Sequence, residues 1–298
     1  MLKCGGGEEM EEEREIEELL KQLIEKHDAL SYFSSLICPR LEGYETVKKA
    51  VLLMLVSDDI GQNRGRIHIL LGGEPGTGKS VLIDWLVDEF DALYSDPNTT
   101  RVGLTADASR GNLSPGLLAK ANGKILCIDE MEFLKDRDAL RESMEKGYYK
   151  IAKGKFEHVF EAKVRVVGAL NEIDKLSQPL RDRFDFEFSF KKPTPDESIR
   201  VSQKLLESYF YDDEYRNVEI LKAFVEWTKK FRPKLMDMEE ARGVFEQYFR
   251  AKNEGKTGRW IASIIRIAIA IAKVYHRDVK KEDFVKAIKL KEFNGMFL

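Results

Sequence analysis

Residues 67–80, IHILLGGEPGTGKS, constrain this chain of 298 residues more than any other stretch. Ile67–Leu71 is an apolar run broken only by His68, the pattern of a strand buried on both faces, as in a parallel sheet covered by helices. Then come Gly73, Glu74, Pro75, Gly76, Thr77, Gly78, Lys79 and Ser80, and Val81 opens a stretch that reads as a helix to Phe90. Glycines at these positions let successive backbone N–H groups converge on phosphate oxygens. Lys79 is placed to reach the terminal phosphates, and the Ser80 hydroxyl to ligate magnesium. The following helix turns its positive end toward the same anion. Strand, glycine loop and helix fall in the order this chemistry needs, so Gly73 to Val81 form the candidate nucleotide-binding set, with Mg2+ as the implied cofactor.

The length allows a large core and two domains. Hydrophobic residues make up 43% and charged residues 34% of the chain. No apolar stretch is long enough to span a membrane, and no apolar core segment precedes Glu8. Cys4, Cys38 and Cys127 are odd in number and lack paired spacing, so the expectation is a reduced, cytoplasmic protein with no cysteine zinc site. The net charge of −3 does not favour nucleic acid over the whole surface, but eight glutamates crowd into residues 8–18, leaving the remainder near neutral.

Residues 1–30 read as a flexible start followed by an acidic helical segment, with Ile16, Leu19, Leu20, Leu23 and Ile24 along one stripe. Residues 31–192 read as an α/β nucleotide-binding domain. Within it, a helix covers Glu45–Val56, strands cover Arg101–Thr105, Ile125–Ile128, Val164–Leu170 and Phe186–Phe190, a helix covers Arg137–Lys146, and Tyr148–Ala162 forms a hairpin turning at Lys153-Gly154-Lys155. Pro193 and Pro195 mark a boundary, beyond which residues 193–298 read as a small all-helical domain.

Asp129-Glu130 closes the second buried strand, on the sheet edge where ligands bind in this fold class. Asp129 is the candidate magnesium ligand through water, with Ser80, and Glu130 the group that polarises the attacking water. Asn171, also at a strand end, is placed to orient that water, although an Asn there is commonly a turn residue. Arg181 and Arg183 precede the last strand; taken alone, they read as surface partners of Asp182 or Asp185. Arg259 and Arg266 share one helix face, seven residues apart, and read as solvated. Lys153 and Lys155 at a hairpin tip suit phosphate contact without base reading.

Seven segments, in order, resemble the AAA+ ATPase domain of minichromosome maintenance (MCM) helicases, the archaeal kind most closely, from about Leu19 to Leu290. Ser35–Gly43 matches the family's segment beside the adenine, and Val102–Ala106 its strand and insert start. CIDEMEFLKD, Cys127–Asp136, matches its Walker B segment, and Met144–Lys153 its pre-sensor hairpin. Asp182-Arg183-Phe184-Asp185 matches its arginine finger, Arg232-Pro233-Lys234-Leu235 its lid, and Thr257-Gly258-Arg259 through Arg266 its second sensor. The resemblance implies an AAA+ P-loop NTPase fold, a parallel sheet core plus a helical lid, assembled as a homo-oligomeric, hexameric ring that binds ATP between subunits. Lys79, Ser80, Asp129, Glu130 and Asn171 would act in cis. Arg183 and Arg259 would act on the neighbour's nucleotide, and Lys153 would face DNA in the channel, which places the protein on the chromosome.

The match lacks a counterpart of the family's N-terminal oligonucleotide-binding and zinc region, and of its C-terminal winged helix. The insert from Thr105 to Gly123 is short, Glu172 follows Asn171 where the family usually has Pro, and Asp182 precedes Arg183 where it usually has Ser. The expected function is an ATP-dependent DNA helicase motor core. The rival is an MCM-like module that binds ATP and DNA as a regulator or loader without unwinding.

Overall fold

The structure is a computed structural model and describes residues 5–107, 113–135, 137–153, 156–210 and 214–293. Helices α1 (Gly5–Lys26), α2 (Ala29–Ser35) and α3 (Glu45–Val56) precede the first strand, β1 (Ile69–Gly73). Helix α4 (Lys79–Phe90), β2 (Leu93–Ser95), α5 (Arg101–Leu104), β3 (Ala106–Asp107), β4 (Ser114–Pro115) and α6 (Leu117–Lys120) follow. Then come β5 (Ile125–Ile128), α7 (Arg137–Lys146), the hairpin β6 (Tyr148–Lys153) and β7 (Phe156–Glu161), β8 (Arg165–Leu170), α8 (Gln178–Arg181) and β9 (Phe186–Phe190). The C-terminal part is helical: α9 (Pro195–Phe210), α10 (Glu214–Lys230), α11 (Met238–Lys252), α12 (Gly258–Val274) and α13 (Lys281–Glu292).

Five strands form a parallel sheet in the order β2-β5-β8-β1-β9. The central strands β1, β5 and β8 are buried on both faces and mostly apolar, whereas the edge strand β9 alternates, with Glu187 and Ser189 turned outward. Ile69, Leu71, Cys127, Val167, Ala169 and Phe188 point to the face packed by α3, α4, α10 and α12. The alternate residues Leu70, Leu126, Ile128, Val166 and Leu170 point to the other face, where Leu104, Leu118, Leu140 and Tyr149 meet them. The first of these cores runs without a break past residue 193, joining α2 and α3 to α10, α12 and α13; the rings of Phe33 and Phe224 stack at 3.5 Å. The fold class is thus the expected one, a parallel P-loop sheet followed by helices.

The stretch expected as a strand at Arg101–Thr105 is instead the short helix α5. Thr100 caps it, its hydroxyl accepting from Gly103 N at 3.0 Å. Only Leu104 of this stretch is fully buried on an apolar side chain, so Val102 and Leu104 supplied an alternation with no sheet to join. The edge strand β2 has only three residues and left no such pattern. Helix α1 begins at Gly5, ahead of the acidic segment, and residues 1–4 lie outside the described residues. The hairpin follows the expected course, Tyr148 pairing with Glu161 and Lys153 with Phe156; Gly154 and Lys155 at its tip lie outside the described residues.

Candidate nucleotide site

The connection from β1 to α4 is built by glycines in left-handed conformations. Gly73, Gly76 and Gly78 have φ of 142°, 77° and 100°, a region only glycine enters at low cost. The Thr77 hydroxyl donates to Glu74 O at 2.8 Å and closes the loop from within. Tyr44 supports it from outside: its OH donates to Thr77 O at 3.2 Å while its ring stacks on Phe190 at 4.2 Å. Burial pushes the Tyr44 hydroxyl up to about 12, so it remains a donor at any physiological pH.

Lys79 is the first residue of α4 and is buried. Its Nζ donates to Gly73 O at 2.5 Å and Glu74 O at 2.9 Å, so the ammonium lies folded over its own loop. Burial lowers its pKa, while the charges of Asp129 and Glu132 oppose that shift. Ser80 and Val81 are exposed on the first turn of α4, whose N–H groups lack intrahelical partners.

A cleft of about 1090 Å³ opens over this turn. Residues 75–81 form its floor, and Asp129, Glu130 and Asn171 line it from the ends of β5 and β8. Asp129 Oδ1 accepts from Glu130 N at 2.8 Å, and Glu130 itself adopts a left-handed φ of 45°, which lifts its side chain into an exposed position. Asn171 is tied to the loop because its carbonyl accepts from Gly73 N at 3.3 Å. Cys38 to Tyr44 form another wall, so the segment expected beside a base does border the cleft, and Glu197 and Arg200 of α9 complete it. Gly73 and Glu74 are outside this lining: the Glu74 carboxylate turns away and pairs with Lys192 at 2.6 Å.

Arg183 and Arg259 do not line the cleft; Arg183, its side chain largely buried, borders a separate groove beside Arg141 and Glu145, with Arg259 nearby. Arg183 donates to Pro179 O and pairs with Glu145 at 3.4 Å, while Arg259 lies 3.9 Å from Asp182. Burial lowers the Arg183 pKa, Glu145 raises it, and nearby Arg259 and Arg141 lower it further. The solvated reading of the α12 arginines holds for Arg259, half exposed, and fails for Arg266, whose guanidinium is buried against Asp185 at 2.6 Å. Likewise Arg181 pairs with Glu187 and Asp174, rather than with Asp182 or Asp185.

Sequence reasoning passed over Tyr44 and Glu132. Glu132 follows the Asp129-Glu130 pair by two positions, its Oε1 accepting from Asn171 N at 3.3 Å. The carboxylate-rich run Asp129-Glu130-Met131-Glu132 was a visible signal for it; nothing local marks Tyr44. Lys153 is at the end of β6, remote in the chain from the loop, and Lys155 lies outside the described residues.

Comparison with known proteins adds the lineage. A family model described as the MCM P-loop domain matches residues 15–209. An uncharacterised MCM-type protein of Methanocaldococcus jannaschii is 29% identical, the match covering 92% of this chain and 43% of that protein. A probable DNA helicase MCM9 of Arabidopsis thaliana is 30% identical over 85% of this chain and 46% of its own length. The DNA replication licensing factor mcm7 of Xenopus tropicalis is 28% identical over 97% of this chain and 45% of its own length. The chain therefore spans about half the length of the curated relatives it matches. A P-loop cleft with strand-end carboxylates and a family match over most of the α/β part lead to one assignment: this chain belongs to the MCM family.

Proposed function

We propose that the chain is the ATPase motor core of an MCM-type DNA helicase, hydrolysing ATP between subunits and moving DNA through a ring. The observation that carries this reading is the division of the catalytic groups. Lys79, Ser80, Asp129, Glu130 and Asn171 converge on one cleft, while Arg183 and Arg259 occupy a separate surface. A site split this way is complete only when a second copy brings its arginines to the first copy's cleft, which supports a homo-oligomer, hexameric as in the family.

The residues fit the substrate and its metal. The glycine loop and the first turn of α4 offer N–H donors to phosphates, and Lys79 can exchange its loop carbonyls for phosphate oxygens. Ser80 and Asp129 would hold Mg2+, which offsets phosphate charge when bound. Glu130 accepts a proton from the attacking water, and Asn171 orients that water. Arg183 and Arg259 of the neighbour offset charge that grows in the transition state. Lys153 and Lys155 at the hairpin tip contact DNA phosphates, as befits a protein acting on chromosomes.

The test is turnover with and without single-stranded DNA. Lys79→Ala should lose nucleotide binding or turnover. Glu130→Gln should bind ATP normally and lose at least about a hundredfold in turnover, roughly 2.7 kcal/mol of barrier. Wild-type turnover in Glu130→Gln removes Glu130 from the mechanism. Binding of ATP and DNA without DNA-stimulated turnover in the unmodified chain replaces the motor with a regulatory or loading module.

A further inference from the structure

Outside the cleft, one buried carboxylate gathers partners from several parts of the fold. Asp185 is fully buried immediately before β9, two residues after Arg183. Its Oδ2 accepts from Arg64 Nη2 at 2.7 Å and from His68 N at 2.9 Å. Its Oδ1 accepts from Arg266 Nε at 3.0 Å and Nη2 at 2.6 Å. Its backbone carbonyl accepts from Lys291 Nζ at 2.6 Å. Arg64 Nη2 also donates to the carbonyl of Arg183 at 2.9 Å, tying the arginine's own backbone into the cluster.

These bonds come from three places. Arg64 and His68 lead into β1, Arg266 belongs to α12, and Lys291 belongs to α13. Arg266 stands two helical turns along α12 from Arg259, and α12 runs unbroken between them: Ser263 and Ile264 are buried, and Thr257 caps the N-terminus by accepting from Trp260 N at 3.3 Å. Arg183 hangs from the sheet and Arg259 from the C-terminal helices. Asp185 is the point where those two supports are joined: two N–H groups of the Arg266 guanidinium converge on Oδ1 while Arg64 and His68 N hold Oδ2, so the carboxylate is fixed from both sides.

We infer that Asp185 and Arg266 form a positioning pair that sets the spacing between Arg183 and Arg259, so that both cations arrive together at the neighbouring subunit's nucleotide. This rests on the proposed split ATPase site. Neither Asp185 nor Arg266 touches nucleotide; they act through the two arginines they hold. The pair also transmits in the other direction, because any shift of α12 that follows events in the cleft changes the place of Arg259 relative to Arg183. Glu145 and Asp182, which pair with the two arginines at 3.4 and 3.9 Å, are weaker and more exposed restraints.

The test is the Arg266→Gln variant, which leaves the Arg64–Asp185 pair in place. It should bind nucleotide with unchanged affinity and lose about tenfold in turnover at saturating ATP, with KM nearly constant. Mixing decides whether the defect acts across the interface. Arg266→Gln mixed with Lys79→Ala should recover turnover, since Lys79→Ala subunits still present sound arginines to the variant's clefts. Arg266→Gln mixed with Arg183→Ala should not recover. Recovery with Arg183→Ala, or wild-type turnover in Arg266→Gln alone, overturns the inference.

A second measurement does not depend on turnover. Spin labels at Ser177→Cys, exposed before α8, and Gly258→Cys, where an added side chain meets open space, report the spacing between the two supports in protein diluted with unlabelled chain, with Cys4 replaced by Ser. The distance distribution should be narrow in the parent and broad in Arg266→Gln. Equal distributions overturn the inference even if the ATPase reading stands, whereas a broadened one sustains it even in a chain without turnover. Lys291→Met, which removes the bond to the Asp185 carbonyl and the buried ammonium beside the carboxylate, serves as a second variant. Loss of folded protein in both variants assigns the cluster to stability alone and also overturns the inference.

Discussion

Gly73 and Gly76 are both left-handed, yet they face different surroundings. A Cβ built on Gly73 would lie 2.1 Å from the carbonyl oxygen of Phe190, a backbone atom in the neighbouring strand that cannot yield cheaply. A Cβ on Gly76 would meet nothing within 4 Å. Gly76→Ala therefore carries only the left-handed penalty, about 1–2 kcal/mol. Gly73→Ala adds displacement of the β1–β9 register and should cost clearly more, on the order of 3 kcal/mol or above. Urea unfolding of the two variants compares them directly, and equal midpoints would mean that the Phe190 carbonyl moves freely. Gly76→Ala should still impair nucleotide binding, because Gly76 lines the floor of the cleft.

The elements differ in how openly the sequence declares them. The strands β1, β5 and β8 were legible because each is an apolar run, interrupted in β8 only by Arg165 at its start, and the residues that follow them, the glycine loop, Asp129 and Asn171, inherited their places in the cleft from that reading. Helix α5 was misread because five residues cannot separate alternation from a capped turn, and β2 was too short to register. Asp185 and Arg266 were beyond local reading: they are 81 residues apart, and only the packing of α12 against the start of β9 makes them one group. The hairpin β6–β7 was legible as an element, and its proposed role is tested there. Lys153 faces Phe156 across the last rung, with Gly154 and Lys155 beyond it. Replacing Lys153 and Lys155 by Ala should weaken single-strand binding about equally for all sequences. It should also flatten the log–log salt dependence by up to about 0.7 per lost phosphate contact. Fluorescence anisotropy at several salt concentrations reads both, and an unchanged slope would leave the tip as a solvated turn.

At the scale of the whole molecule, the continuous core between sheet and C-terminal helices makes global stability sensitive to protons at its polar inclusions. His68 is completely buried. Its Nδ1 accepts from Val166 N at 3.0 Å, and its Nε2 faces Met144 O at 3.3 Å, so the neutral ring protonated on Nε2 satisfies both contacts. A second proton would have to enter at Nδ1, against the Val166 N–H. Burial and the neighbouring charge of Arg64 accordingly push the pKa well below its ordinary 6.5, although Asp185 opposes the shift. His276, stacked on Trp227 at 3.4 Å, is pushed down to about 4, chiefly by burial. In both cases the unfolded chain takes up a proton near pH 6.5 while the folded chain does not. The stability is therefore fully present above pH 6.5 and declines as pH falls through 6.5 toward the lower folded values. For His68 the slope approaches about 1.4 kcal/mol per pH unit; solvent screening makes the His276 contribution smaller. Urea midpoints at pH 7.5, 6.5 and 5.5 cover the window before most carboxylates titrate. A fall in stability on the acid side, diminished in His68→Gln relative to the parent, is the expected result. A flat profile from pH 7.5 to 5.5 would show that His68 accepts its proton inside the fold, which would require the Val166 contact to open.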